Sequence, residues 1–179
     1  MNKFTRMAST AILAGLLGSG AAWAQQPAAP SSAAAAGNPD SSFVTQAATS
    51  GMMEVETSKM AEKQAKDSKV KSFAKEMVKD HTKANDKLKK LAKSKGLTLP
   101  DDTAAKAAAD QLKDKKGHDF DLAYLQAAGP DAHQQAVTLF EQEANSGQDQ
   151  QLRAFAKETL PTLQHHLKEA QDLQKRVEK

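Results

Sequence analysis

The chain has 179 residues, no cysteine, 39% hydrophobic and 4% aromatic residues. Without a thiol it has neither disulfides nor the attachment point of a lipid anchor. A net charge of +3 gives no indication of a nucleic-acid-binding protein, and we expect no such partner.

The first 24 residues have the pattern of a cleavable secretory signal peptide. A short basic start precedes an apolar run over residues 7–23, which ends in Ala-Trp-Ala at 22–24. The run is short and interrupted by glycine, which argues against a membrane anchor. We expect cleavage between Ala24 and Gln25 and a soluble periplasmic or secreted product.

The mature chain is expected to contain a linker and one domain. Residues 25–42 are rich in Pro, Ser, Ala and Gly, which predicts a disordered linker. Residues 43–178 are rich in Ala, Lys, Gln, Glu and Leu, a composition that favours helices. Cleavage removes Lys3 and Arg6 and no acidic residue, so the net charge falls from +3 to +1.

Two helices are predicted in the first half of the domain, from Ser42 to about Lys66 and over 69–95, where Gly96 ends the second. The short turn between them predicts an antiparallel pair. The second helix has an apolar stripe with coiled-coil spacing: Val70, Ala74, Met77, His81, Ala84, Leu88 and Leu91.

The opposite face of this second helix carries lysines: Lys71, Lys75, Lys79, Lys83, Lys87 and Lys90. Such a row is typical of a solvated face. It is also the surface that would meet a weakly bound anionic component of the cell envelope.

A longer connection follows, in which a short Ala-rich helix is predicted up to about Lys115. The third helix is predicted from His118, with an interruption at Gly129-Pro130 and a continuation to Ala144. The fourth is predicted from Gln148 to Val177, with a kink at Pro161. This pattern predicts an all-α, ferritin-like antiparallel four-helix bundle, whose long crossover carries the short helix.

The chain resembles exported bacterial proteins of domain-of-unknown-function family 4142 (DUF4142). Four segments carry the resemblance in this order: FVTQAATSGMMEVETSKMA, VKSFAKEMVKDHTKANDKL, FDLAYL and LRAFAKETLPTLQHHLKEA. Membership implies a ferritin-like helical bundle, often labelled an outer-membrane protein, with no established activity. In the family the third helix is uninterrupted, whereas here Gly129-Pro130 separates Tyr124 from His133.

Each predicted helix places one polar residue on its apolar stripe: Glu54, His81, His133 and His166. Three imidazoles and a carboxylate suit a divalent transition metal such as zinc, iron, copper or nickel. The alternative is a buried hydrogen-bond network. A di-iron centre is excluded because no Glu is followed by His at the third position.

Two functions are therefore carried forward. The first is a non-enzymatic exported bundle with a binding, structural or envelope-stress role, since no nucleophile motif or phosphate loop is present in the sequence. The second is a metal-binding bundle that uses the four polar residues of the stripes.

Overall fold

The computed structural model describes residues 38–179, so the predicted signal peptide and most of the predicted linker lie outside the described residues. Within this range the chain forms six helices and no strand: α1 Pro39–Gln64, α2 Ser68–Ser94, α3 Thr103–Asp110, α4 Gly117–Ala128, α5 Pro130–Ser146 and α6 Gln150–Val177. A search of these helices found none with the length and apolar character needed to cross a bilayer.

The predicted all-α four-helix bundle is confirmed. α1 packs on α2 and α5 packs on α6, while α4 and α5 together provide the third helix of the bundle. The short helix α3 lies in the crossover and packs against α1. α1 begins before the expected Ser42 because the Asn38 side chain accepts a hydrogen bond from the Asp40 amide, at 3.0 Å, and Pro39 begins the helix.

Gly129-Pro130 divides the third helix of the bundle into α4 and α5. Pro130 has no amide hydrogen to donate, and it occupies the first position of α5, where none is needed. A Cβ atom at Gly129 would overlap the carbonyl oxygen of Leu125, so glycine fits this position. By contrast, α6 continues through Pro161.

The apolar core consists of two clusters along the length of the bundle. The first includes Ala61, Val70, Phe73, Met77, Phe120, Tyr124, Ala170 and Leu173. The second includes Phe43, Val44, Leu88, Val137, Phe140, Leu152, Phe155 and Leu163. α1, α2 and α6 contribute to both clusters, while α4 contributes to the first and α5 to the second. The polar residues of the predicted stripes lie between the residues of the first cluster and those of the second.

A buried aspartate holds the turn of each hairpin. The Asp121 carboxylate, at the start of α4, accepts hydrogen bonds from the amides of Lys66 and Asp67 at 2.8 Å each. The Asp40 carboxylate, at the start of α1, accepts them from Gln148 and Asp149 at 2.7 and 2.8 Å. Each turn is thus held by a residue of the other hairpin. These contacts fix the position of one hairpin along the bundle axis relative to the other.

The two halves also share a sequence repeat. VKSFAKE at 70–76 and LRAFAKE at 152–158 begin three residues after the N-cap residues Asp67 and Asp149. The phenylalanines of the repeat lie in different apolar clusters. The bundle is therefore built from two similar hairpins that pack against each other in opposite orientations.

Replacement of Asp121 by alanine should destabilise the fold. The part-buried amides of Lys66 and Asp67 would lose a charged acceptor, so we expect the free energy of unfolding in urea to fall by roughly 1.5–3 kcal/mol. Asp119→Ala on the same helix is the control, because Asp119 is exposed. Equal stability of the two variants would contradict the role of Asp121.

Candidate metal centre

Four polar side chains meet between the two apolar clusters, one from each helix of the bundle. Glu54 of α1 and His81 of α2 are 5% and 6% exposed, and His133 of α5 and His166 of α6 are fully buried. The centroids of the three imidazole rings lie 5.3 to 5.9 Å apart. The four sequence-predicted residues therefore converge at one point.

Glu54 fixes the orientation of His81. Its carboxylate oxygen Oε2 lies 3.0 Å from His81 Nδ1, and Oε1 lies 3.9 Å from His133 Nε2. Burial raises the pKa of Glu54, but the charge and hydrogen bond of His81 outweigh it and lower that pKa overall. Burial likewise lowers the pKa of His81, but Glu54 outweighs it, so the net shift is upward. The carboxylate thus holds Nδ1–H and leaves Nε2 to face the other rings.

The helix break orients His133. Its Nδ1 donates to the Gly129 carbonyl oxygen at 3.0 Å, because a carbonyl only accepts. The same oxygen accepts from the His133 amide at 3.2 Å. Burial lowers the pKa of this imidazole, so the ring is neutral at pH 7 and its Nε2 carries a free lone pair.

Of the three histidines, His166 has the fewest hydrogen bonds. Burial, together with the charges of His81 and His133, lowers the pKa of His166 to about 4. Its ring packs edge-on against Phe73, with centroids 6.1 Å apart. Within residues 38–179, neither ring nitrogen of His166 has a hydrogen-bond partner, and the same holds for Nε2 of His81 and of His133.

The three histidines match the donor set of a transition-metal site. Each offers one ring nitrogen, and the three nitrogens lie within 4.8 Å of one another. Ligands of a tetrahedral zinc ion at 2.0–2.1 Å would be about 3.4 Å apart. Small side-chain rotations would bring the nitrogens that close.

The level of His133 relative to His166 differs from the sequence estimate. Counted from a turn between Asn145 and Gln148, His133 is predicted 12 residues before the turn and His166 18 residues after it. This predicts an offset of six residues, or ~9 Å. α5 ends at Ser146 and α6 begins at Gln150, so His133 lies 13 residues before the turn and His166 lies 16 after it. The remaining offset of three residues, ~4.5 Å along the helix, is small enough for the rings to meet.

Tyr124 and the two other histidines lie outside this centre. Tyr124 is buried and its hydroxyl lies 2.8 Å from Ser58 Oγ, while burial raises its pKa. His118 is exposed, His165 is 60% exposed, and Met77 belongs to the first apolar cluster. The six lysines of the α2 row are exposed, and their binding to an anionic partner stays a prediction.

Sequence reasoning missed two carboxylates beside the centre. Asp80 Oδ2 lies 3.4 Å from His166 Nε2, and Glu76 lies one turn earlier on α2. The periodic pattern placed His81 on the apolar stripe and gave no prediction for its neighbour Asp80. The spacing of Glu76 and Asp80 by four residues was the available signal.

Fold and site together define a helical bundle with a buried histidine cluster. Over residues 24–173 the chain matches the family described as Domain of unknown function (DUF4142), and it belongs to that family. No curated protein and no solved structure matches the chain.

The low pKa of His166 predicts acid sensitivity. Since it is about 4 in the fold and ~6.5 in an unfolded chain, the stability that neutral His166 provides is complete above pH 6.5. It is lost as the pH falls toward 4. We expect the contribution of His166 to the free energy of unfolding of the metal-free protein to fall by up to about 1.4 kcal/mol per pH unit.

Urea unfolding at pH 6.5 and 4.5 would measure this loss. His166→Leu should reduce the pH dependence, whereas His165→Leu should keep it because His165 is largely exposed. The raised pKa of His81 does not oppose the trend, because His81 is protonated in both states throughout most of this range. Burial raises the pKa of Glu143 to about 7, which does oppose the trend. The wild type and both variants share this carboxyl, so the difference between them reports His166. A wild-type slope unchanged by His166→Leu would refute the assignment.

Proposed function

We propose that this protein is an exported, non-enzymatic bundle that binds one divalent transition-metal ion through His81, His133 and His166. The observation that carries the proposal is the set of buried ring nitrogens that face one another without hydrogen-bond partners in the described chain. Neutral imidazole is a good ligand for zinc, copper and nickel.

A buried hydrogen-bond network fits these contacts less well. Buried polar groups are nearly always paired, and an unpaired group costs free energy. Here Glu54 pairs with His81 Nδ1 and Gly129 pairs with His133 Nδ1, but the inward nitrogens face one another. A protonated His81 could donate from Nε2 to only one neighbouring ring, and within the described residues no such hydrogen bond is formed. A metal ion, by contrast, accepts all three nitrogens.

The outer hydrogen bonds have the arrangement found around metal sites. A ligating histidine commonly donates its other ring N–H to a carboxylate or a carbonyl, which fixes the tautomer. Glu54 does this for His81, and the Gly129 carbonyl does it for His133. In this proposal Glu54 orients His81, and a water molecule completes the coordination.

Titration of the purified protein with Zn²⁺ tests the proposal. Calorimetry should give one equivalent, with binding weakened by more than about 100-fold in His81→Gln, His133→Gln and His166→Gln, since removal of an outer-shell partner alone costs 10–100-fold. Glu54→Gln should retain one equivalent and lose about 10–100-fold. Binding should also weaken as the pH falls, because the ion displaces the proton of His81.

The controls are His118→Gln and His165→Gln, since both residues are exposed. They should bind like the wild type. Urea unfolding would show that each variant is folded, so that loss of binding is not loss of structure. A wild type that binds no zinc, copper or nickel, or one whose affinity survives all three histidine substitutions, would refute the metal site.

Export is part of the proposal and rests on the sequence of the first 24 residues. In a bacterial host with an intact secretion system, the protein should accumulate in the periplasmic fraction or the medium. N-terminal sequencing should then begin at Gln25. A protein that retains Met1 and stays with the cytoplasmic fraction would contradict export.

A further inference from the structure

Three sets of metal-ligating side chains overlap between α2 and α6. The outermost set is Glu76, His165 and Glu169, the middle one is Glu76, Asp80 and His166, and within each set one ligand atom per residue lies within 4.8 Å of the others. Glu76 is common to the first two sets. His166 is common to the middle set and to the buried histidines.

Exposure decreases along these sets. The side chain of His165 is 60% exposed, that of Glu76 39%, that of Asp80 24% and that of His166 0%. A groove of about 100 Å³ between the two helices is lined by Asp80, His81 and His166, and also by the charged residues Lys83, Lys87 and Glu158. Solvent therefore reaches Asp80 and His166 through this groove, and His81 of the buried centre faces the same groove.

The middle set contains a buried histidine as well as two acidic residues. His166 is fully buried, and its Nε2 lies 3.4 Å from Asp80 Oδ2 without the alignment of a hydrogen bond. Its Nδ1 also has no hydrogen-bond partner within the described residues. His166 therefore has two ring nitrogens without hydrogen-bond partners in the described residues, and one of them, Nε2, lies beside Asp80.

We infer that Glu76 and Asp80, with His166, form a second ligand set that receives the metal ion from solvent and passes it to the buried histidines. The inference rests on the proposed function, because it gives the route to the same centre. Carboxylate oxygens are ligands for such a cation. The ion then exchanges the carboxylates for His81 and His133 at the ring of His166, which belongs to both ligand sets.

A site that acts only in transfer changes rates and leaves the equilibrium alone. Stopped-flow mixing with Zn²⁺, in which a chromophoric chelator reports the free ion, should show slower association in Asp80→Asn and in Glu76→Gln/Asp80→Asn. We expect a decrease of about 10-fold. Release should slow by the same factor, so that the Kd measured by calorimetry stays within about threefold of the wild-type value.

Asp86→Asn is the matched control. Asp86 is an exposed acid on the same helix, it is absent from the lining of the groove, and its substitution removes the same charge. It should leave both rates close to those of the wild type. The result shows whether Asp80 acts locally or only through the net charge.

Two outcomes would overturn the inference while leaving the proposed metal centre intact. The first is equal association rates in Asp80→Asn and Asp86→Asn. The second is a Kd weakened by about 10-fold or more in Asp80→Asn, which would make Asp80 part of the equilibrium site, as a ligand or as an outer-shell partner of His166. A wild type that binds no metal at all would overturn both the centre and the route to it.

Discussion

A layer of polar side chains lies in the middle of the helical bundle, and the fold must provide partners for these buried groups. Glu54, His81, His133 and His166 are buried by apolar residues on both sides, and groups removed from water must find partners. Glu54 and the Gly129 carbonyl satisfy the outer nitrogens of two rings. The unsatisfied inner nitrogens are the reason to look for a bound ion, and they make a purely structural role less favourable.

The fold brings this layer to one level by means of polar contacts at a distance from it. Asp40 and Asp121 each hold the turn of the opposite hairpin through two backbone amides. Because the two turns are fixed, the distance along each helix from its turn to its polar residue is fixed as well. The helix break at Gly129-Pro130 adds the last adjustment, since it places His133 in the first turn of α5 and frees a carbonyl for its ring.

Much of this architecture could be predicted from the sequence. The spacing of apolar residues predicted the helices and put His81 and His166 on buried faces, because helical periodicity is a local property. The pairing of Glu54 with His81 followed from an antiparallel hairpin with a short turn. The position of His133 was harder to predict, since the few residues by which α5 and α6 differ from their predicted bounds shift the two rings by several ångströms.

The carboxylates were predicted least well, and the reason is physical. Asp40 and Asp121 act on turns that are distant in the sequence, which no periodic pattern reports. Asp80 lies next to His81 on the rim of the stripe, where α2 meets α6, so its contact with His166 depends on the packing of two helices from different hairpins. The shared FAKE sequence of the two hairpins was visible in the sequence and would have indicated an internal repeat.

The separation of the apolar core into two clusters has a consequence for cooperativity. The apolar side chains at the two ends of the bundle belong to different clusters, so each end can open in a local fluctuation while the other stays closed. The polar layer joins them. An ion held by rings from α2, α5 and α6 would tie both ends to a single point and turn two weakly coupled units into one cooperative unit.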